Sequence, residues 1–196
     1  MKRVVVAFVM LVCSLSLGAQ SVVVSSPQTD ALYRLPFDKG VKCVAYSLTP
    51  VSLGLGHSHN LVDFCAWELV ASEPTGVVAP RDGVVESVME RDVLIRHEEG
   101  IYTYLQGIDG IVVKEGDKVV KGDKVAASDE NVRVRMEVFY LTPNPKYGDE
   151  SVLSGKSKTL RHYINPIFST RSKCKVQLTD GNSYTTKART WCWPWE

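Results

Sequence analysis

Val113-Lys-Glu-Gly-Asp-Lys-Val119 runs directly into Val120-Lys-Gly-Asp-Lys-Val125, a repeated K-x-GDKV pattern near the middle of the chain. Each Gly-Asp offers a tight turn and each following valine begins a new extended run. Working outward, the neighbouring segments have the same make-up: Val77-Val78, Gly83-Val84-Val85, Val93 to Ile95, Tyr102 to Leu105, Ile111 to Val113 and Lys124 to Ala127. All are short, rich in β-branched residues and bounded by Gly or Asp, which is how strands read. No window from Ser72 to Tyr140 carries a long apolar stripe at helical spacing. The fold class is therefore mainly β, a compact β-sandwich or barrel-sandwich-like domain.

On the N-terminal side, residues 20–55 read as an extended arm, with Pro27 and Pro36 and little periodicity. The main domain occupies residues 56–168, and the polar stretch from Pro143 to Lys158 within it reads as a surface loop. Residues 169–196 read as a C-terminal hairpin followed by a tryptophan-rich tail. The hairpin has arms Lys175–Leu178 and Tyr184–Ala188 about an Asp-Gly-Asn turn, and the tail is Trp191-Cys-Trp-Pro-Trp195. That tail is a hydrophobic cap on the domain or, in a sharper reading, an exposed aromatic platform for a glycan or peptide.

The chain has 196 residues, with 44% hydrophobic and 23% charged residues and a net charge of +1. This composition excludes disordered, collagenous and multi-span membrane classes, and there is no basic excess to neutralise a nucleic acid. Residues 1–19 have the form of a secretory signal peptide: Lys2 and Arg3, an apolar run from Val4 to Val12, then small residues to Ala19. The run is too short to span a bilayer. The expectation is an exported protein, periplasmic or secreted, with no integral membrane span once the signal is cleaved. Cys13 leaves with the signal, and Cys43, Cys65, Cys174 and Cys192 remain in an oxidising compartment. Sequence proximity favours the pairs Cys43–Cys65 and Cys174–Cys192 among three possible pairings.

An ordered series of motifs is similar to the LytM/lysostaphin-type zinc metallopeptidases. His59-Asn-Leu-Val-Asp63 resembles the H-x-x-x-D signature that supplies two zinc ligands in that family. Gly76 to Val85 resembles its A-x-x-D-G hairpin, Val93 to Gly100 its I-x-H-x-x-G strand, and the GDKV steps its V-x-x-G-D-x-V element. Arg133-Val-Arg-Met-Glu-Val138 stands where the family has H-L-H-F-E-V, and Tyr104 stands at the histidine of Y-x-H-L. The resemblance implies a β-sandwich with a metal groove on one sheet and hydrolysis of peptide bonds in peptidoglycan, by a water activated on zinc.

The departures fall on the chemistry. Arg133 and Arg135 replace the paired histidines, and a guanidinium stays protonated and offers only donors. His59 and Asp63 alone are an incomplete metal site, because a catalytic zinc normally keeps three protein ligands. The resemblance therefore implies a degenerate member with no cofactor, whose groove residues Tyr104, Arg133 and Arg135 bind peptidoglycan peptides or a cell-wall hydrolase. An Asp63–Arg135 ion pair is expected in place of the metal. The alternative is a zinc endopeptidase with an altered site, for instance one using His57, His59 and Asp63. His97 reads as a hydrogen-bonded structural histidine. A third reading is an interaction protein that uses its C-terminal segment as the contact surface.

Overall fold

The computed structural model describes residues 31–48, 61–62, 65–127, 131–143 and 159–186. The signal-like segment, Cys13, the tail from Lys187 with Cys192, and the loop residues 144–158 lie outside these. In chain order the strands are β1 (Leu32–Arg34), β2 (Lys42–Leu48), β3 (Leu61–Val62), β4 (Ala66–Pro74), β5 (Val77–Val78), β6 (Gly83–Met89) and β7 (Asp92–Arg96). There follow β8 (Ile101–Gln106), β9 (Lys118–Val119), β10 (Lys124–Ala126), β11 (Asn131–Pro143), β12 (Thr159–Tyr163), β13 (Ile167–Ser169) and β14 (Ser183–Thr185). A single 3-10 turn at Glu98–Gly100 is the only helical element among the described residues. The fold is mainly β, as the sequence implies.

One large sheet runs in the order β14-β2-β4-β11-β8-β7-β6-β9, with β12 on the distal half of β11 and β3 beside β12. Two small sheets, β1 with β13 and β5 with β10, complete the fold. The long strand β11 shows why one face of the large sheet is core and the other is not. Side chains alternate along a strand, so Val132, Val134, Met136 and Val138 are buried on one face while Arg133, Arg135 and Glu137 share the other. The core face continues through Leu69 of β4, Leu105 of β8 and Val93 and Ile95 of β7. It packs in one cluster with Tyr33, Leu35, Phe37, Val77, Ala79, Val125 and Phe168 from the small sheets and their flanks. Burying a side chain of the size of Leu69 or Leu105 contributes roughly 1.5–3 kcal/mol, and the groove face takes no part in that cluster.

The doubled GDKV motif forms two turns of the same construction. Gly116 (φ 88°) and Gly122 (φ 104°) each occupy the third turn position, where a positive φ favours glycine. Asp117 Oδ2 accepts from Lys114 N–H at 3.0 Å, and Asp123 Oδ2 accepts from Val120 N–H at 2.9 Å. The backbone contacts are duplicated as well: Gly116 and Asp117 bond to Val85, and Gly122 and Asp123 bond to Ala79.

Three expectations are corrected. β2 lies within the stretch read as an arm, yet it pairs along its whole length with β4. Its alternation of Cys43 and Ala45 inward with Lys42 and Tyr46 outward is a half-buried strand, too short to outweigh the flanking prolines on sequence alone. The expected hairpin arms of the C-terminal segment, Lys175–Leu178 and the described part of Tyr184–Ala188, do not pair with each other. Val176 makes an isolated bridge to Phe168, and β14 pairs antiparallel with β2. Asp180 fixes the second arrangement by accepting from Ser47 N–H at 2.8 Å.

Cys43 and Cys65 are free thiols. The register places Cys43 opposite Ala71, six residues along from Cys65, or roughly 20 Å at 3.3 Å per residue. A disulfide needs Cα atoms within about 7 Å. Cys174 is disulfide-bonded, to a partner outside the described residues.

Candidate functional site

The outward face of the large sheet gathers the charged side chains at its centre. Register sets their positions: Arg135 lies between Glu68 of β4 and Gln106 of β8, and Glu137 lies between Ala66 and Tyr104. Asp92 of β7 is opposite Gln106. On the other side of β11, Phe139 faces Tyr163 and Leu141 faces Arg161 of β12. Tyr104, Arg133 and Arg135, the three groove residues expected from the sequence, therefore share one face.

Glu137 is the centre of this face. Its residue is 1% exposed, and a buried carboxylate requires hydrogen-bonded counter-charge. Arg135 Nη2 donates to Glu137 Oε1, and Arg161 Nη1 donates to Glu137 Oε2 at 3.5 Å. The Arg161 guanidinium also lies 4.6 Å from the Phe139 ring centroid and 5.8 Å from that of Tyr104. The outer pair, Arg133 Nη1 with Glu68 Oε2 at 2.9 Å, is more solvated, with the Arg133 side chain 65% exposed, and contributes little to stability. The Tyr104 hydroxyl donates to Asp92 Oδ2 at 2.7 Å. Burial first, and then this bond to a carboxylate, push the Tyr104 phenol up from its ordinary pKa, so it is protonated at neutral pH.

Two buried polar atoms on this face have no hydrogen-bond partner: Arg135 Nε, a donor, and Gln106 Oε1, an acceptor. They belong to residues directly opposite each other on β11 and β8. A buried group left unpaired costs about 1–3 kcal/mol, so Arg135 Nε and Gln106 Oε1 are unsatisfied polar atoms at the centre of this face.

His57, His59 and Asp63 lie outside the described residues, and with them the expected Asp63–Arg135 pair. The described partner of Arg135 is Glu137. Among the described residues no group of three His, Cys, Asp or Glu side chains stands close enough to hold a metal ion. The donor chemistry at positions 133 and 135 does not fit zinc either, since both guanidinium groups are cationic donors and both are paired with carboxylates.

His97 and His162 are away from this face. His97 is buried on the core side, with Nδ1 2.7 Å from the Asp82 carbonyl and Nε2 2.7 Å from Thr103 Oγ1. A carbonyl only accepts, so Nδ1 carries the proton and Nε2 accepts from Thr103. Burial, the largest influence, lowers the His97 pKa to about 4, which makes it a neutral structural histidine. His162 stacks on Tyr140 at 4.8 Å and shares a hydrogen bond with Thr142.

Sequence reading passed over Glu137 and Arg161 as site residues. Alternation along Arg133-Val-Arg-Met-Glu137 could have found Glu137. Arg161 follows a long polar stretch of sequence, and nothing local in its sequence places it beside Glu137.

Residues 59–142 match Peptidase family M23. Among solved structures, one described as a novel M23 metalloprotease, pseudoalterin, from the deep sea superposes with a TM-score of 0.44 at 12% identity. That superposition covers 82% of this chain and 97% of the other. No curated protein matches the chain. Among the described residues no helix is long and apolar enough to cross a membrane.

Proposed function

We propose that the chain, whose residues 59–142 match peptidase family M23, is an exported, non-catalytic member whose groove binds cell-wall peptides. The observation that carries this reading is the pair of unpartnered atoms on the groove face, Arg135 Nε and Gln106 Oε1. A peptide backbone offers the complementary carbonyl and N–H. Arg133, exposed at the end of the same row, suits the carboxylate of a peptidoglycan stem peptide. Hydrolysis is disfavoured by the two arginines in the place of the family's paired histidines, because neither supplies a lone pair to a metal or a base to a water.

The test combines retention and chemistry. Purified full-length protein is incubated with sacculi, and the same preparation is assayed for bound zinc and for clearing in a peptidoglycan zymogram. The expected result is retention that Arg135→Gln and Gln106→Ala weaken, without clearing. About one equivalent of zinc together with a chelator-sensitive clearing band supports the endopeptidase reading instead. Retention no greater than that of an unrelated exported protein counts against both the groove and its ligand.

A further inference from the structure

A second concavity, of about 560 Å³, lies where the N-terminal segment crosses the β6–β7 hairpin and the second GDKV turn. Its walls include Leu32, Val84 and Val119, and its charged lining is Arg81, Arg96, Lys118 and Lys121 against Asp82 and Glu98. None of the groove residues Tyr104, Arg133, Arg135 or Glu137 borders it.

The cations here are poorly compensated. Arg81 Nη1 is buried with no hydrogen-bond partner, and the nearest carboxylate oxygen to its other amino group is Glu99 Oε2 at 4.0 Å. The Arg81 guanidinium carbon lies 5.9 Å from the centroid of the Tyr33 ring, which is fully buried in the core beside it. Among the described residues, Lys121 Nζ donates to the Leu32 carbonyl, at 3.3 Å. The Asp82 carboxylate is occupied by the Lys121 backbone N–H at 2.5 Å. Arg96 is neutralised by Glu86 at 2.8 Å. Burial is the main cause that lowers the Lys121 pKa, with Asp82 pulling it up and Arg34 and Arg81 adding to the fall. A cavity of this size with apolar walls and a few convergent polar groups is what a small-molecule site requires.

We propose that this cleft binds a small organic anion, its carboxylate or phosphate held by Arg81 and Lys121 and its apolar part lying on Leu32, Val84 and Val119. The oxyanion supplies closer counter-charge for Arg81 than Glu99 at 4.0 Å, and a guanidinium suits either group. The site is independent of the peptide groove and of the reading built on it.

The test titrates the full chain with hexanoate, hexyl phosphate and neutral hexanol at constant ionic strength, following the Arg81 side-chain N–H resonances and isothermal heats. The expected result is saturable binding of at least one anion, the stronger of the two identifying the oxyanion, with hexanol about tenfold weaker or silent. Lys121→Gln and Arg81→Gln should each weaken binding about tenfold, while Lys175→Gln, exposed and outside the cleft lining, leaves it unchanged. Lys121→Gln keeps the test decisive if the Arg81 variant does not fold. Absence of binding by both anions, equal binding of hexanol, or undiminished binding by Lys121→Gln overturns the proposal.

Discussion

Replacing Glu137 by Gln removes the charge at the centre of the groove while keeping its shape. The carboxylate is 1% exposed, whereas the Arg135 and Arg161 side chains are 26% and 44% exposed. Breaking a fully buried ion pair typically costs about 3–5 kcal/mol. Here both guanidinium groups retain access to water, and the new amide oxygen still accepts one hydrogen bond, so the expected loss is about 2–3 kcal/mol. For a chain of this size that lowers Tm by about 4–12 °C. The assay is urea and thermal unfolding followed by far-UV circular dichroism. A companion variant, Arg135→Met with Glu137→Leu, removes both charges together and should fall within about 1 kcal/mol of the parent. Arg161 remains over the Phe139 ring and turns its free donors to solvent. A loss below about 0.5 kcal/mol for Glu137→Gln would show that the carboxylate is not held by its arginines. A double variant no more stable than the single one would refute the compensation argument.

Other perturbations test other parts of the structure. The His97 pKa, lowered to about 4, against an ordinary 6.5 means that the unfolded chain binds the proton first. Stability is therefore full above about pH 6.5 and declines as pH falls towards 4, by about 3 kcal/mol; His97→Gln should be less stable at pH 7 but lose less on acidification in urea titrations at each pH. Gly83→Ala places a Cβ 2.5 Å from the Arg96 carbonyl oxygen and 2.9 Å from His97 Nδ1, and backbone cannot yield cheaply there. It should cost about 2–3 kcal/mol in the same unfolding assay and perturb the His97 ring resonances. Burial raises the Cys43 thiol to about 12; it should resist a thiol reagent in the native protein and react on unfolding, and a Cys43–Cys65 disulfide in the peptide map would contradict the register.

The parts of this fold that could be read in the sequence are those whose signal is local. Val93 to Ile95 and Tyr102 to Leu105 are strands because β-branched and aromatic residues alternate there between turn residues, and the GDKV turns follow from glycine at a positive-φ position. What was not readable depends on contacts distant in the chain. β14 pairs with β2 because the edge of β2 was open and Asp180 reaches Ser47, and no pattern between residues 175 and 186 distinguishes that from a hairpin. The expected Cys43–Cys65 pair failed for the same reason. Nearness in sequence says nothing about distance once two residues lie on adjacent antiparallel strands at different registers. At the groove, the type and face of Arg133, Arg135 and Tyr104 were readable, but their partners were set by pairing of β11 with β8 and β12.

The alternation of β11 also explains how this scaffold accommodates altered chemistry. Val132, Val134, Met136 and Val138 hold the strand in the core whatever stands on its other face, so Arg133, at the solvated end of the row, is free to vary at little cost. Position 135 is different. Glu137 is buried on the groove face and depends on the cation next to it, so a neutral residue at 135 would leave the carboxylate with Arg161 alone at 3.5 Å. Arg135 and Glu137 therefore form a coupled unit: the arginine neutralises the glutamate, and its Nε–H is left without a hydrogen-bond partner. The same coupling distinguishes the two functional readings, because a donor set able to hold zinc at position 135 must also supply the positive charge that Glu137 now takes from Arg135.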